Sequence, residues 1–201
     1  MDCQFTTSES WTILSPIEQS IKRKIEAVGI PLKDWDIKIY RGILTGCNEA
    51  FIINAEKRQE ILNNCRDDEE RRRTDELIRP ILRGRDIKRY GYNWANLFLI
   101  ATFPSRHYDI EQYPAVKKHF LTFDRKRLEE AGRVDLLSDD KLQQFCRGRL
   151  NQTGCDIMVN GEKIFIDGKV QTSRKRTGNK WFETQDQIGY WDDFSKPKIV
   201  W

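Results

Sequence analysis

The chain has 201 residues, of which 33% are charged, with a formal net charge of +4 and a mean hydropathy of -0.70. This length suits one sizeable core, or one core with a small appendage, and no apolar run approaches the length of a membrane span. Five cysteines at irregular spacing match neither a disulfide framework nor a CxxC metal pair, and the first residues do not resemble a secretory leader, so we expect a soluble cytoplasmic protein.

The first predicted element is an amphipathic helix. Ser15 is placed as its N-cap, Pro16 suits the first helical position, and Glu18 completes a capping box. Gly and Pro at residues 29–31 are expected to end it. Its apolar residues recur on one face and are Ile17, Ile21, Ile25 and Val28. We expect this face to pack on a core.

The rest of the chain alternates between predicted strands and helices without an internal repeat. We expect strands at residues 35–39, 51–53 and 96–103. We expect helices at residues 55–64, 67–76, 113–121, 124–131 and 135–147. The helix at residues 67–76 carries six acidic and three basic side chains, so we expect a solvated surface and no binding site there.

A basic loop at residues 79–90 is the first functional signal. Its cations are Arg79, Arg83, Arg85, Lys88 and Arg89, against the single negative Asp86. Gly84 lies between two of the arginines and allows a backbone conformation that brings both guanidinium groups to one surface. We expect Arg83 and Arg85 to make forked contacts with phosphate or guanine, and Lys88 and Arg89 to anchor phosphates. Such a cluster is typical of a phosphate-rich partner.

A second basic loop follows at residues 173–180, with four positive charges and no negative ones. The cations are Arg174, Lys175, Arg176 and Lys180. Asn179 in this loop has the side chain that reads adenine, and Trp181 lies behind it. Each basic loop taken alone is explained as well by an ordinary solvated surface.

The turn at residues 45–48 is open to two interpretations. Thr45 and Asn48 are candidate DNA contacts, but the glycine and asparagine of this segment are also residues that simply build turns. His107 and His119 lack acidic or cysteine partners in the sequence, so we interpret them as ordinary surface or half-buried histidines.

Four segments together resemble a known family. They are Gly-x-x-Thr-Gly-x-Asn-Glu-Ala-Phe at residues 42–51, Ile-Arg-Pro-x-Leu-Arg-Gly-Arg-Asp-Ile-x-x-Tyr at residues 78–90, and residues 174–183 and 190–201. Over roughly residues 11–133 and 173–201 the chain resembles the TaqI-like C-terminal specificity domain. That domain is the target recognition domain of adenine-specific DNA methyltransferases in type IIG restriction-modification enzymes.

The resemblance divides the expected α+β fold, which has a mixed or antiparallel sheet with peripheral helices, into three parts. Residues 1–133 form the first part of a DNA target recognition domain, and residues 173–201 form its truncated remainder. Residues 134–172 depart from the family pattern and are interpreted as an inserted helix and β-hairpin subdomain. The hairpin prediction depends on Asn160 and Gly161, which form the strongest two-residue turn signal.

The resemblance implies sequence-specific recognition of double-stranded DNA that positions an adenine for a catalytic domain. Methyl transfer needs a glycine-rich cofactor loop and an Asn/Asp-Pro-Pro-aromatic motif, and this sequence has neither. We therefore expect no cofactor and no turnover in this chain, which looks like a piece of a longer protein or a truncated gene product. S-adenosylmethionine and Mg²⁺ are implied for the parent enzyme, and the methyltransferase domain of the same parent is the implied protein partner.

A metal-dependent nuclease is the alternative function. Asp156 and Asp167, followed by Lys169, match the spacing of the PD-(D/E)xK signature, although Cys155 replaces its proline. In a hairpin with a two-residue turn Asp156 faces Phe165, so the three residues are expected on one side, as a two-carboxylate Mg²⁺ site needs. A solvated hairpin end explains the same residues. A third possibility is that the insert is a protein contact surface.

Overall fold

The computed structural model describes residues 14–38 and 40–196 and divides the chain into two compact units, Met1–Gly42 and Ile43–Trp201. In the first unit, helix α1 (Pro16–Val28) is followed by a 3₁₀ turn at Leu32–Asp34. The predicted capping box is confirmed, because the Ser15 backbone N–H donates to Glu18 Oε2 at 2.7 Å and the Glu18 N–H donates to Ser15 Oγ.

Two expectations are not met within the described part of this unit. It contains no core that covers the apolar face of α1, where Ile17 is 74% exposed and Val28 86% exposed. The described part of this unit is one helix and one short turn, which is too little chain to enclose a core. No strand forms at residues 35–38 either: the Trp35 indole N–H donates to the Ile30 carbonyl at 2.9 Å, across the 3₁₀ turn. Ile39 lies outside the described residues.

The second unit is α+β, as predicted. Its helices are α2 (Asn48–Phe51), α3 (Ala55–Asn63), α4 (Asp68–Leu77), α5 (Pro114–Thr122), α6 (Arg125–Glu130) and α7 (Asp139–Leu150). Its strands are β1 (Ile52–Asn54), β2 (Ile78–Pro80), β3 (Ile87–Lys88), β4 (Gly91–Tyr92), β5 (Leu97–Ile100), β6 (Met158–Val159), β7 (Glu162–Lys163), β8 (Phe165–Ile166) and β9 (Lys169–Val170). Further 3₁₀ turns lie at Gly84–Asp86, Pro104–Arg106, Ile110–Gln112, Val134–Leu136 and Trp191–Ser195.

The largest described sheet has three antiparallel strands in the order β1-β5-β2. Ile53 is opposite Phe98, and Arg79 is opposite Leu99, so β5 is the central strand. Its sequence, Leu-Phe-Leu-Ile, suits that position because a strand paired on both edges and covered by helices needs apolar side chains. The predicted buried strand at residues 96–103 is confirmed, with shorter limits.

Two clusters of buried residues form the interior of this unit. The first lies around the three-stranded sheet and includes Phe51, Phe103 and Phe120, with the Phe51 and Phe120 rings 4.9 Å apart between centroids. The second includes Leu128 and Phe145 and is built from α6, α7 and the hairpins at residues 158–170. Helix α7 packs against α5, so these two helices connect the second cluster to the first.

The hairpin prediction is right at its turn and wrong in its register beyond it. Asn160 and Gly161 have positive φ angles of 49° and 84°, and Val159 pairs with Glu162 as expected. Asp167 and Gly168 form another two-residue turn with φ angles of 50° and 73°. Asp-Gly is a second strong hairpin signal, and this turn pairs β8 with β9 in antiparallel orientation.

The charged helix at residues 67–76 is confirmed as α4, but it is not wholly solvated. Glu70 is fully buried and accepts hydrogen bonds from the backbone N–H of Arg66 and of Ala115, each at 3.0 Å. Because Ala115 lies in the first turn of α5, the Glu70 carboxylate satisfies a helix N-terminus that would otherwise have unpaired donors.

No helix in the described part of the chain is both long and apolar enough to cross a membrane.

Candidate nucleic-acid interface

In the first basic loop, residues 79–90, Arg83 is bound to Asp86. The Arg83 backbone N–H and its Nε each donate to Asp86 Oδ2 at 3.0 Å, and its Nη2 donates to Oδ1 at 2.8 Å. The Arg83 side-chain hydrogen bonds lower the pKa of Asp86 to about 2, so this carboxylate stays ionised at neutral pH. Arg83 therefore stabilises the 3₁₀ turn, and its guanidinium group already forms hydrogen bonds with Asp86 within the loop.

The remaining cations of this loop face solvent. Arg85, Lys88 and Arg89 are exposed, and no carboxylate within 4.0 Å forms a salt bridge with them among the described residues. Lys88 Nζ donates to the Arg85 backbone carbonyl at 3.3 Å, which holds the Lys88 side chain against the 3₁₀ turn. Arg79, on β2, is exposed as well.

A two-residue turn between β3 and β4 carries Arg89 and Tyr90. Lys88 pairs with Gly91 and Ile87 pairs with Tyr92, which places the turn at the tip of a short hairpin. The Arg89 guanidinium lies 5.1 Å from the Tyr90 ring centroid. Tyr90 is 89% exposed and Tyr92 64% exposed. These aromatics are not among the site residues predicted from the sequence, although Tyr90 directly follows Lys88 and Arg89, and Tyr92 lies two residues further on.

In the second basic loop, residues 173–180, Arg174 is buried and not on the surface as expected. Its Nε donates to the Leu150 carbonyl at 2.9 Å, while Nη1 and Nη2 donate to the carbonyls of Thr45 and Trp181 at 2.7 Å each. Its guanidinium also lies 5.1 Å from the Phe51 ring centroid. Burial lowers the pKa of Arg174 to about 10, which still leaves it charged at neutral pH.

Among the other residues of this loop, one side chain supports the loop backbone and others are exposed to solvent. The Asn179 side-chain amide donates to the Thr184 and Gln185 carbonyls at 3.1 and 2.8 Å, so it shapes the loop. Lys175, Arg176 and Lys180 are exposed. Lys180 Nζ lies 5.6 Å from the Phe182 ring centroid and 3.5 Å from the Tyr108 carbonyl.

The turn at residues 45–48 has the geometry of a local structural motif. Thr45 is 2% exposed, and its hydroxyl donates to Asn48 Oδ1 at 2.7 Å and accepts from the Cys47 N–H at 3.2 Å. Gly46 has φ +74°, and a Cβ there would lie 3.0 Å from Arg174 Cδ, so the turn requires glycine on both counts. Asn48 is exposed. The structure thus joins this turn to the second basic loop through Arg174.

A buried ion pair beside this turn was missed in the sequence. Arg149 pairs with Asp124, which is 2% exposed, and its Nη2 lies 3.3 Å from Cys47 Sγ. The Arg149 guanidinium lies 5.2 Å from the Phe123 ring centroid. Burial raises the pKa of the Cys47 thiol, so it is a protonated packing group and not a nucleophile at neutral pH.

His119 is buried and not half-buried as expected, whereas His107 is exposed. The His119 Nε2 lies 2.9 Å from the Ala50 carbonyl oxygen, the contact that ties α5 to α2. Burial lowers the pKa of His119, so the ring is neutral and donates this hydrogen bond.

The three residues of the nuclease alternative do not converge as their expected register required. Asp156 bridges Thr172, and its carboxylate pairs with Lys163 at 2.7 Å. Asp167 lies in the β8–β9 turn, and Lys169, which follows it, is about 10 Å along the strand from Thr172 at ~3.3 Å per residue. No three His, Cys, Asp or Glu side chains in the described ranges cluster as a metal site would need.

Comparison of the chain with protein-family models, with curated proteins and with solved structures gives no match.

Proposed function

We propose that this chain is a sequence-specific DNA recognition module of a type IIG restriction-modification adenine methyltransferase. In this proposal it binds double-stranded DNA and positions the target adenine for a methyltransferase domain of the same parent protein. S-adenosylmethionine and Mg²⁺ belong to the parent enzyme. The proposal is supported by the resemblance of residues 42–51 and 78–90 to the TaqI-like specificity domain and by the shape and charge of the β3–β4 hairpin.

The hairpin is the observation that carries the proposal. The hairpin and the 3₁₀ turn before it present Arg85, Lys88 and Arg89, beside the exposed rings of Tyr90 and Tyr92. None of these three cations has a carboxylate partner within the part of the chain that the structure describes. Cations of this kind neutralise backbone phosphates, and exposed aromatic rings pack on sugars or bases. A two-stranded ribbon also has the width that the major groove admits.

The base of the hairpin is held in place by the loop itself. Asp86 is 5% exposed, and both of its carboxylate oxygens accept hydrogen bonds from the Arg83 side chain. Its backbone carbonyl accepts a hydrogen bond from the Asn93 N–H at 2.7 Å. A short hairpin alone is marginally stable, so this brace reduces the conformational freedom that binding would have to remove. Arg83 acts in this proposal by positioning Arg85, Lys88 and Arg89.

The test is the salt dependence of binding to a fluorescent duplex, measured by anisotropy. If Lys88 and Arg89 each neutralise one phosphate, the variant Lys88→Ala/Arg89→Ala lowers the slope of log K against log salt by about 2. The variant Lys118→Ala/Lys126→Ala is the matched control, because it removes two exposed lysines elsewhere on the surface.

The proposal fails if the wild-type chain does not bind duplex DNA, or if both double variants change the slope equally. Equal loss would mean that affinity follows net charge and not the hairpin. Tyr90→Ala adds a second readout, since its ring carries no charge: it lowers affinity at all salt concentrations and leaves the slope unchanged.

A further inference from the structure

A polar cavity of about 200 Å³ lies between α4, β2 and the segment that follows β5. Its polar lining consists of Arg73, Glu76, Arg79, Arg106, Tyr108 and Tyr113. Three arginines against one glutamate give this lining a formal charge of +2. The apolar part of the lining includes Phe103 and Trp191, whose ring centroids are 5.1 Å apart. The cavity is separate from the β3–β4 hairpin.

One arginine of the cavity has a donor without an acceptor. Arg73 Nη1 donates to Glu69 Oε1 at 2.6 Å, but the buried Arg73 Nε has no hydrogen-bond partner among the described residues. Buried donors are nearly always paired, because an unpaired one has given up its bonds to water. One of the arginines that line the cavity therefore has a donor that no acceptor among the described residues satisfies.

The tyrosines add neutral donors to the arginines. Tyr108 and Tyr113 meet edge to face, with centroids 5.9 Å apart. Burial raises the pKa of Tyr113, so its hydroxyl keeps its proton at neutral pH and is able to donate. Lys180 Nζ lies 3.5 Å from the Tyr108 carbonyl, which brings a fourth cation close to the cavity residues.

We propose that this cavity binds a phosphoryl group, with Arg73, Arg79 and Arg106 as its charged donors and the two tyrosine hydroxyls as its neutral ones. Planar guanidinium groups match the tetrahedral oxygens of phosphate with paired hydrogen bonds. The volume is below the roughly 300–1,000 Å³ typical of sites for drug-sized ligands, so it suits a phosphate and not a whole nucleotide.

The experiment is a titration of the whole chain with inorganic phosphate at constant ionic strength, with chloride as the balancing anion. Binding is followed by calorimetry and by the NMR signal of the Arg73 Nε–H, which reports a change in the surroundings of this cavity arginine. Arg79→Gln and Arg106→Gln are the informative variants because both side chains are exposed, so their loss leaves the fold intact. Each is expected to weaken phosphate binding at least tenfold.

The matched control is Lys126→Gln, which removes another exposed charge, from α6. It is expected to change phosphate affinity less than twofold. The proposal is overturned if phosphate binds no better than chloride, if the Arg73 signal does not move, or if the control loses as much affinity as the cavity variants.

Duplex DNA distinguishes the two sources of the phosphoryl group. If Arg106→Gln also lowers the salt slope of DNA binding by about 1, the cavity holds a backbone phosphate. If that slope is unchanged while inorganic phosphate binding is lost, the ligand is a free phosphate or a phosphate monoester, and the cavity remains a phosphate site. The phosphate titration does not depend on the hairpin, because the hairpin variants leave the cavity residues in place. A negative result for DNA binding by the hairpin would therefore not change the expected binding of phosphate in the cavity.

Discussion

The two basic loops differ in where their arginines point. At residues 79–90, Arg85 and Arg89 face solvent, whereas at residues 173–180 the leading Arg174 is buried and bonded to three backbone carbonyls. Both segments are short, basic and glycine-containing in sequence. A cationic run therefore does not by itself mark a binding surface. Whether an arginine is buried depends on whether backbone carbonyls from other segments lie around its guanidinium group.

The largest expected effect is at Arg174. Replacing it with Met removes three charge-assisted hydrogen bonds and leaves buried carbonyls unpaired, so we expect the free energy of unfolding to fall by about 4 kcal/mol or more. Arg85→Met, in the other loop, is expected to change it by less than ~0.5 kcal/mol. Urea unfolding of both variants measures the contrast. Similar losses would abolish the distinction between the loops.

Arg174→Lys sharpens the same contrast. Lysine keeps the charge, but one ammonium group cannot reach three carbonyls in the directions that the planar guanidinium fork covers. We expect a free energy of unfolding between those of the wild type and Arg174→Met. A lysine variant as stable as the wild type would show that charge, and not the fork, is what this site requires.

The next effect concerns His119, which holds the Ala50 carbonyl beside the Arg174 site. Burial keeps its folded pKa below the ordinary 6.5, so below that pH the unfolded chain binds a proton that the folded chain refuses. Stability is therefore expected to fall as pH drops from 7.5 to 5.5. His119→Gln removes this dependence, whereas His107→Gln, at an exposed site, retains it. Urea unfolding across this range tests both.

A smaller pH effect in the same direction, but at lower pH, is expected in the first loop. Asp86 has a folded pKa of about 2 against an ordinary 3.8, so its stabilising contribution is present above pH 3.8 and is lost as pH falls toward 2. Asp86→Asn should flatten the pH dependence of unfolding in this window, and the exposed Asp140→Asn should not. Identical acid profiles for the two variants would mean that the Arg83 brace does not operate in solution.

The smallest effect is expected at the exposed neighbours of Arg174. Lys175→Gln/Arg176→Gln should change the free energy of unfolding by less than ~0.5 kcal/mol, because neither side chain is buried. Urea unfolding of this double variant beside Arg174→Met compares adjacent residues of one loop. A large loss would show that the loop depends on its whole charge and not on one buried group.

Local signals in the sequence predicted local structure well. The Ser15 capping box, the Asn160-Gly161 turn and the apolar β5 all formed as expected, since each depends on neighbouring residues. The register predicted beyond residue 164 is wrong, because Asp167 and Gly168 form a second turn that pairs Phe165 with Val170. The candidate site was less predictable. Burial of Arg174 is decided by carbonyls from distant segments, which no local pattern reveals.

The Arg174–Thr45 contact has a kinetic consequence. These residues are 129 positions apart in the chain, so their hydrogen bond closes a very long loop. Contacts of this sequence separation carry a large entropic cost and tend to form after local helices and turns. Changes at Arg174 should then accelerate unfolding more than they slow refolding. The contacts of this arginine would form after the folding transition state and determine the lifetime of the native state.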